Sequence, residues 1–202
     1  MTAHILHLGK DKKLQKILAL QQPFILSKRK NVHLAICSSI ISQQLSTKVA
    51  KVIYERFLKL FTKKTPTPAD ILTVPFDELK AIGLSNSKTN YVRNVCEFFI
   101  DNKVTDSKLH KMEDEQLIEF LIQIKGIGRW TAEMILMFTL AREDVFAVDD
   151  LGIQQAMTRL YSIDATDKKV MKEKMIQISS KWKPFRTYAC RYLWNWKDQK
   201  TT

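Results

Sequence analysis

The chain has 202 residues, 45% hydrophobic and 27% charged, with three cysteines and a formal net charge of +12. That length allows one large domain or two small lobes around a real core. Cys37, Cys96 and Cys190 are widely separated and odd in number, which excludes a disulfide framework and a zinc site. No apolar run is long enough to span a membrane or to act as a leader, so a soluble, intracellular protein is expected. Residues 1–64 hold 13 Lys/Arg against only Asp11 and Glu55, whereas residues 65–202 hold 20 against 19 acids. The positive excess is therefore concentrated in the first third. Such a surface is either simply solvated or faces a polyanion.

The chain begins loosely and then reads as a helix from about Lys12 to Gln21, with Leu14, Ile17 and Leu18 as its stripe and Pro23 beyond its end. Lys28-Arg29-Lys30 is a basic cluster, solvated or touching phosphate. Residues 32–62 carry a long helical pattern, through Leu34, Cys37 and Ile41 and then Val49, Val52, Ile53, Phe57 and Leu60. Ser42-Gln43-Gln44-Leu45-Ser46 interrupts it. This is a kink, or a capped restart with Ser46 or Ser42 as N-cap. Residues 65–75 form a connector with a short helix. Two further helices follow within 76–99, with Gly83 fitting a helix C-terminus, and 101–111 reads as a polar link.

The most informative stretch is Leu121-Ile122-Gln123-Ile124-Lys125-Gly126-Ile127-Gly128-Arg129-Trp130-Thr131-Ala132. Leu117, Phe120, Leu121 and Ile124 give one helical stripe, and Ala132, Ile135, Leu136 and Thr139 give the next. Two of the five glycines in the chain separate them, so the expected structure is helix, tight hairpin, helix. The unpaired N–H groups of such a turn can grip an anion, with Lys125 and Arg129 beside them. A phosphate is the natural one. Downstream, Asp149-Asp150 follows the apolar run Val145–Val148 and opens another helical pattern. Both carboxylates can cap that helix. Lys168–Lys181 is amphipathic through Val170, Met171, Met175 and Ile178. It is followed by Lys181-Trp182-Lys183-Pro184-Phe185-Arg186-Thr187-Tyr188-Ala189 and a last helix holding Trp194 and Trp196. Pro184 suits its first turn. No segment alternates with period two, so the fold is expected to be all-α.

The G-h-G hairpin, the spaced Asp-Asp and the Trp-Lys-Pro-aromatic-Arg-Thr-Tyr-Ala segment together resemble the helix–hairpin–helix DNA glycosylase superfamily. The resemblance is closest to its alkylation-repair branch, 3-methyladenine DNA glycosylase II, and covers most of the chain from Val32 onward. It implies a two-lobed fold. The central bundle would be residues 32–142, the second lobe residues 1–31 with 143–202, and DNA would lie across the cleft. The extra N-terminal β-rich domain of the bacterial relative has no room here. The implied activity is hydrolytic removal of flipped alkylated purines, of the 3-methyladenine and 7-methylguanine type, from double-stranded DNA by a monomer in the nucleoid or nucleus. Asp150 aligns with the catalytic aspartate, leaving Asp149 as the cap.

The resemblance also implies a base pocket that includes Trp194, with Trp130 and Tyr188 as further candidates. Large rings on helices are more often core. Met134 stands where the relative has an aromatic pocket residue, which leaves lesion range open to oxidised or deaminated bases. The phosphate-binding hairpin would be Lys125, Gly126, Ile127, Gly128, Arg129 and Thr131. The side chain wedged into the duplex would be Gln44 or Leu45. Trp130 occupies the position where bifunctional members carry a lysine, so no strand cleavage is expected. Family hairpins also bind a Na+ or K+ ion through main-chain carbonyls, here those of Ile122, Ile124 and Ile127. The four clustered cysteines of iron–sulfur members are missing, and no such cluster is expected. A non-catalytic DNA-binding module is the competing reading.

Overall fold

The structure is a computed structural model and describes residues 2–198. Among the described residues every regular element is a helix, and none is long and apolar enough to cross a membrane. The chain divides into two compact units: Lys28–Ile135, and the described residues of Met1–Ser27 with Leu136–Thr202. The sequence reading drew these divisions at 31/32 and 142/143.

The unit Lys28–Ile135 holds α3 (Val32–Ser42), α4 (Thr47–Lys59), α5 (Pro68–Thr73), α6 (Phe76–Ala81), α7 (Asn86–Asp101), α8 (Asp106–Lys111), α9 (Asp114–Leu121) and the start of α10 (Arg129–Phe138). Helix α7 is its centre and packs against α3, α5 and α6. Val92, Val95 and Cys96 of α7 and Ile36, Cys37, Ile40 and Ile41 of α3 are fully buried. Helix α3 is apolar over most of its surface, which suits a helix enclosed on several sides. Its N-terminus is capped from a distance. Asn31 holds a left-handed φ of 60° and makes no side-chain cap; instead the Asp106 carboxylate accepts the N–H groups of Asn31 at 2.7 Å and Val32 at 3.1 Å. Asp106 lies in the segment expected to be a polar link, which is in fact α8. That helix buries only Leu109, so it has no period to read.

The other unit holds α1 (Ala3–Leu8), α2 (Lys12–Leu18), α11 (Leu151–Tyr161), α12 (Lys168–Ser180) and α13 (Arg186–Asp198). Helix α13 packs on α11 and α2, and α11 also meets α12. Helix α1 falls where the chain was expected to be loose, and it buries only His4 and Leu8. Asp11 ties the two ends of the sequence together. Its Oδ1 caps α2 through Lys13 N–H and Leu14 N–H, and its Oδ2 accepts the Tyr161 hydroxyl at 2.7 Å and the Trp182 indole N–H at 3.1 Å. Burial opposes its charge, but these donors outweigh burial and hold the carboxyl below its ordinary range. Val170, assigned to the buried stripe of α12, is exposed, whereas Met171 and Met175 are buried as expected. Pro184 precedes α13 in a cis Lys183–Pro184 bond and does not sit in its first turn.

Candidate active site

The segment that delivers the Asp-Asp pair is fastened to α13. Arg186 clamps Asp144 with both carboxylate oxygens, at 2.7 and 2.9 Å. Thr187 donates its hydroxyl proton to Arg142 O at 2.6 Å and accepts Val145 N–H at 3.0 Å. Val145 and Ala147 are buried, and Gln154 donates to Val148 O at 2.9 Å. The apolar run is thus a rigid approach to the carboxylates.

Asp150 is the N-cap of α11, with extended backbone at φ −71° and ψ 122°. Its Oδ1 accepts two donors, Ile153 N–H at 2.8 Å and the Trp194 indole N–H at 2.7 Å. Position and rotamer of the carboxylate are therefore fixed from the α11 backbone and from α13 together. Asp149, expected to be the cap, is not. The helix begins at Leu151, so its N-cap is the residue just before; Asp149 turns outward to Lys172 of α12.

Gly152 is a site residue that the sequence reading passed over. A Cβ there would lie 2.9 Å from Trp194 Cδ1 and 3.1 Å from both Trp194 Nε1 and Asp150 Oδ1. Only hydrogen at this position lets the indole come so close to the helix start. Trp194, expected in the base pocket, is thereby the residue that orients Asp150; its ring also meets Phe138, with centroids 5.6 Å apart. Tyr188, another pocket candidate, is a core residue. It is buried, its ring stacks on His4 at 3.9 Å, and its hydroxyl donates to Glu143 at 3.0 Å.

In the unit Lys28–Ile135, the hairpin runs from α9 to α10. Gly126 has φ 107°, and a Cβ on it would overlap the Tyr91 ring of α7. Asn94 of α7 donates to Lys125 O at 3.1 Å, so α7 anchors the turn at two points. Gly128 is different: a Cβ there would meet nothing within 4 Å. Ile127 and Thr131 are buried, Lys125 is exposed, and Met134 is half-buried. Trp130 is 42% exposed, so it is not a core ring. Arg129, expected at a phosphate, holds the hairpin together. Its two terminal nitrogens bind Glu115 of α9 at 2.7 and 2.9 Å, and its Nε binds the buried Glu133 at 3.2 Å. The Arg129 guanidinium in turn keeps the Glu115 carboxyl below its usual range.

The α3–α4 turn contains both wedge candidates. Ser46 caps α4 through Val49 N–H, while Ser42 donates back to Ser38 O inside α3. Gln44 is exposed with a left-handed φ of 57°, and Leu45 is 37% exposed.

A family model for the HhH-GPD superfamily base excision DNA repair protein matches residues 37–182. This chain belongs to that superfamily. DNA-3-methyladenine glycosylase 1 of Schizosaccharomyces pombe is 35% identical to this HhH-GPD protein, over 91% of this chain and 80% of its own length. The putative DNA-3-methyladenine glycosylase YfjP of Bacillus subtilis is 32% identical over 81% of this chain, which spans 58% of that longer protein. Two solved structures share the fold closely. The DNA-3-methyladenine glycosidase of Bacillus halodurans superposes with a TM-score of 0.86 at 33% identity, covering 98% of this chain and 90% of its own. The 3-methyladenine DNA glycosylase of S. pombe in complex with abasic DNA gives 0.82 at 33% identity, with 96% of both chains covered. The all-helical fold and the superfamily read from the motifs are those the comparisons show.

Proposed function

We propose that this HhH-GPD protein is a monofunctional DNA glycosylase that, as a monomer, removes alkylated purines from duplex DNA. The observation that carries the reading is the Asp150 carboxylate, held at the start of α11 by Ile153 N–H and Trp194 Nε1. Breaking the bond between C1′ and a base gives the sugar oxocarbenium character. A fixed, ionised carboxylate stabilises that charge without reorganising, and it orients or deprotonates the attacking water. One carboxylate suffices when the leaving group is activated. An N3- or N7-alkylated purine is cationic and leaves neutral, so no separate general acid is needed.

Unstacking the target costs a few kcal/mol, less at a damaged pair, and a side chain from the Gln44–Leu45 turn fills the gap it leaves. Trp130, with 42% of its surface exposed, offers a ring to a cationic base for about 0.5–2 kcal/mol. The hairpin grips phosphate through its main-chain N–H groups, with Lys125 beside them. The carbonyls of Ile122, Ile124 and Ile127 suit an oxygen-liganded Na+ or K+; Ile124 O retains a lone pair after accepting Ile127 N–H at 2.9 Å. Such an ion would add positive charge at the phosphate site.

The test is incubation with methylated duplex, with free bases identified by mass spectrometry and strands sized by gel. Release of 3-methyladenine or 7-methylguanine with the strands uncut until alkali is added is expected, because Trp130 offers no amine to attack C1′. Release of only oxidised or deaminated bases from a wider panel would replace the substrate class. Tight binding with no release from any lesion would leave a binding module.

Gly152→Ala should slow base release about tenfold, the scale of one hydrogen bond to a charged group, because the methyl displaces the Trp194 indole. Melting temperature should hold or rise slightly, since alanine favours the helix. Single-turnover rates and a thermal melt read both. An unchanged rate would show that the Trp194 contact does not matter to chemistry.

A further inference from the structure

The α3–α4 turn ends a helix and then bends through a left-handed residue, so it needs support from outside. Helix α3 stops at Ser42, and the carbonyls of its last turn have no intrahelical partner. Gln44, which carries a Cβ, sits at φ 57°, a conformation unfavourable for any such residue. Lys88 of α7 supplies the support: its Nζ donates to Ile41 O at 2.9 Å and to Gln43 O at 2.6 Å. Lys88 lies in the first turn of α7, where that helix's own dipole disfavours a cation. The carbonyl end of α3 favours one. The side chain is half-buried, and burial pushes its pKa below that of an ordinary lysine.

We infer that Lys88 is a positioning residue that locks the Gln43–Leu45 turn in the form that enters the duplex, and so controls base flipping rather than DNA binding or bond cleavage. This rests on the glycosylase reading and its wedge, which base release by the wild type tests by itself. With release established, wild type, Lys88→Met and Lys88→Arg are compared in three measurements. These are fluorescence of a 2-aminopurine beside the lesion, affinity for undamaged duplex, and single-turnover release. Lys88→Met should lower both the flipped population and the release rate about tenfold, as expected for losing two charged donors. Affinity for undamaged duplex should not move. Lys88→Arg, which keeps a charged pair of donors, should restore most of the loss. Wild-type flipping in folded Lys88→Met, equal losses in flipping and duplex affinity, or no rescue by arginine would each overturn the proposal. Should Lys88→Met fail to fold, Lys88→Gln replaces it, with the same split expected and an equal loss in both readouts again fatal.

Discussion

Asp150→Asn is expected to abolish most base release while leaving the protein folded. Asparagine is as good an N-cap as aspartate, so its side-chain oxygen can still accept Ile153 N–H and the Trp194 indole, at present 2.8 and 2.7 Å from Oδ1. What disappears is the negative charge beside the developing oxocarbenium ion. Losses from removing such a group run roughly 10²–10⁴-fold. Single-turnover release from methylated duplex should fall in that range, with melting temperature and duplex affinity close to wild type. Asp150→Ala would lose the cap as well, at a cost of about 1 kcal/mol, and confound the two roles. Release by Asp150→Asn at the wild-type rate would move the chemistry to another group.

The two hairpin glycines should fail in opposite ways. Gly126→Ala imposes a Cβ on a backbone at φ 107° and drives it into the Tyr91 ring. Overpacking and the forced conformation together should cost about 2–4 kcal/mol, read by denaturant melts. Tyr91→Ala should recover part of that loss in the double variant, because the two residues touch. Gly128→Leu meets open space and should melt like wild type. Its bulk stands where a phosphate approaches, so affinity should drop about tenfold for damaged and undamaged duplex alike, since phosphate contacts position rather than specify. Wild-type affinity in both DNAs would remove the hairpin from the DNA interface.

The fold was legible wherever apolar residues recur over several turns. Helices α3, α4, α7 and α11 fall where periodicity and capping residues put them. Helices α1 and α8 were not legible, since six residues with one or two buried positions carry no period. The hairpin and Asp150 stood out because spacing alone marks them. Their partners did not. Asp149 goes to Lys172, Arg129 to Glu115 and Glu133, and Tyr188 to His4 and Glu143 only through contacts made by folding. Gly152 and Lys88 gave one usable signal each. A glycine in the first turn of a helix and a lysine at the positive end of another are both locally unfavourable choices.

Arg129 has a consequence for how the protein responds to its ionic surroundings. Each phosphate neutralised by a lysine or arginine releases condensed counterions, and affinity then falls with log salt by a slope of about −0.9. In the hairpin, one guanidinium is shared by two carboxylates, so that cluster displaces no cations from DNA. The grip there is made by neutral N–H groups, with Lys125 alone contributing a free charge. Most of the salt sensitivity of binding therefore belongs to the lysine-rich first third of the chain. The hairpin keeps its hold at ionic strengths that screen the rest.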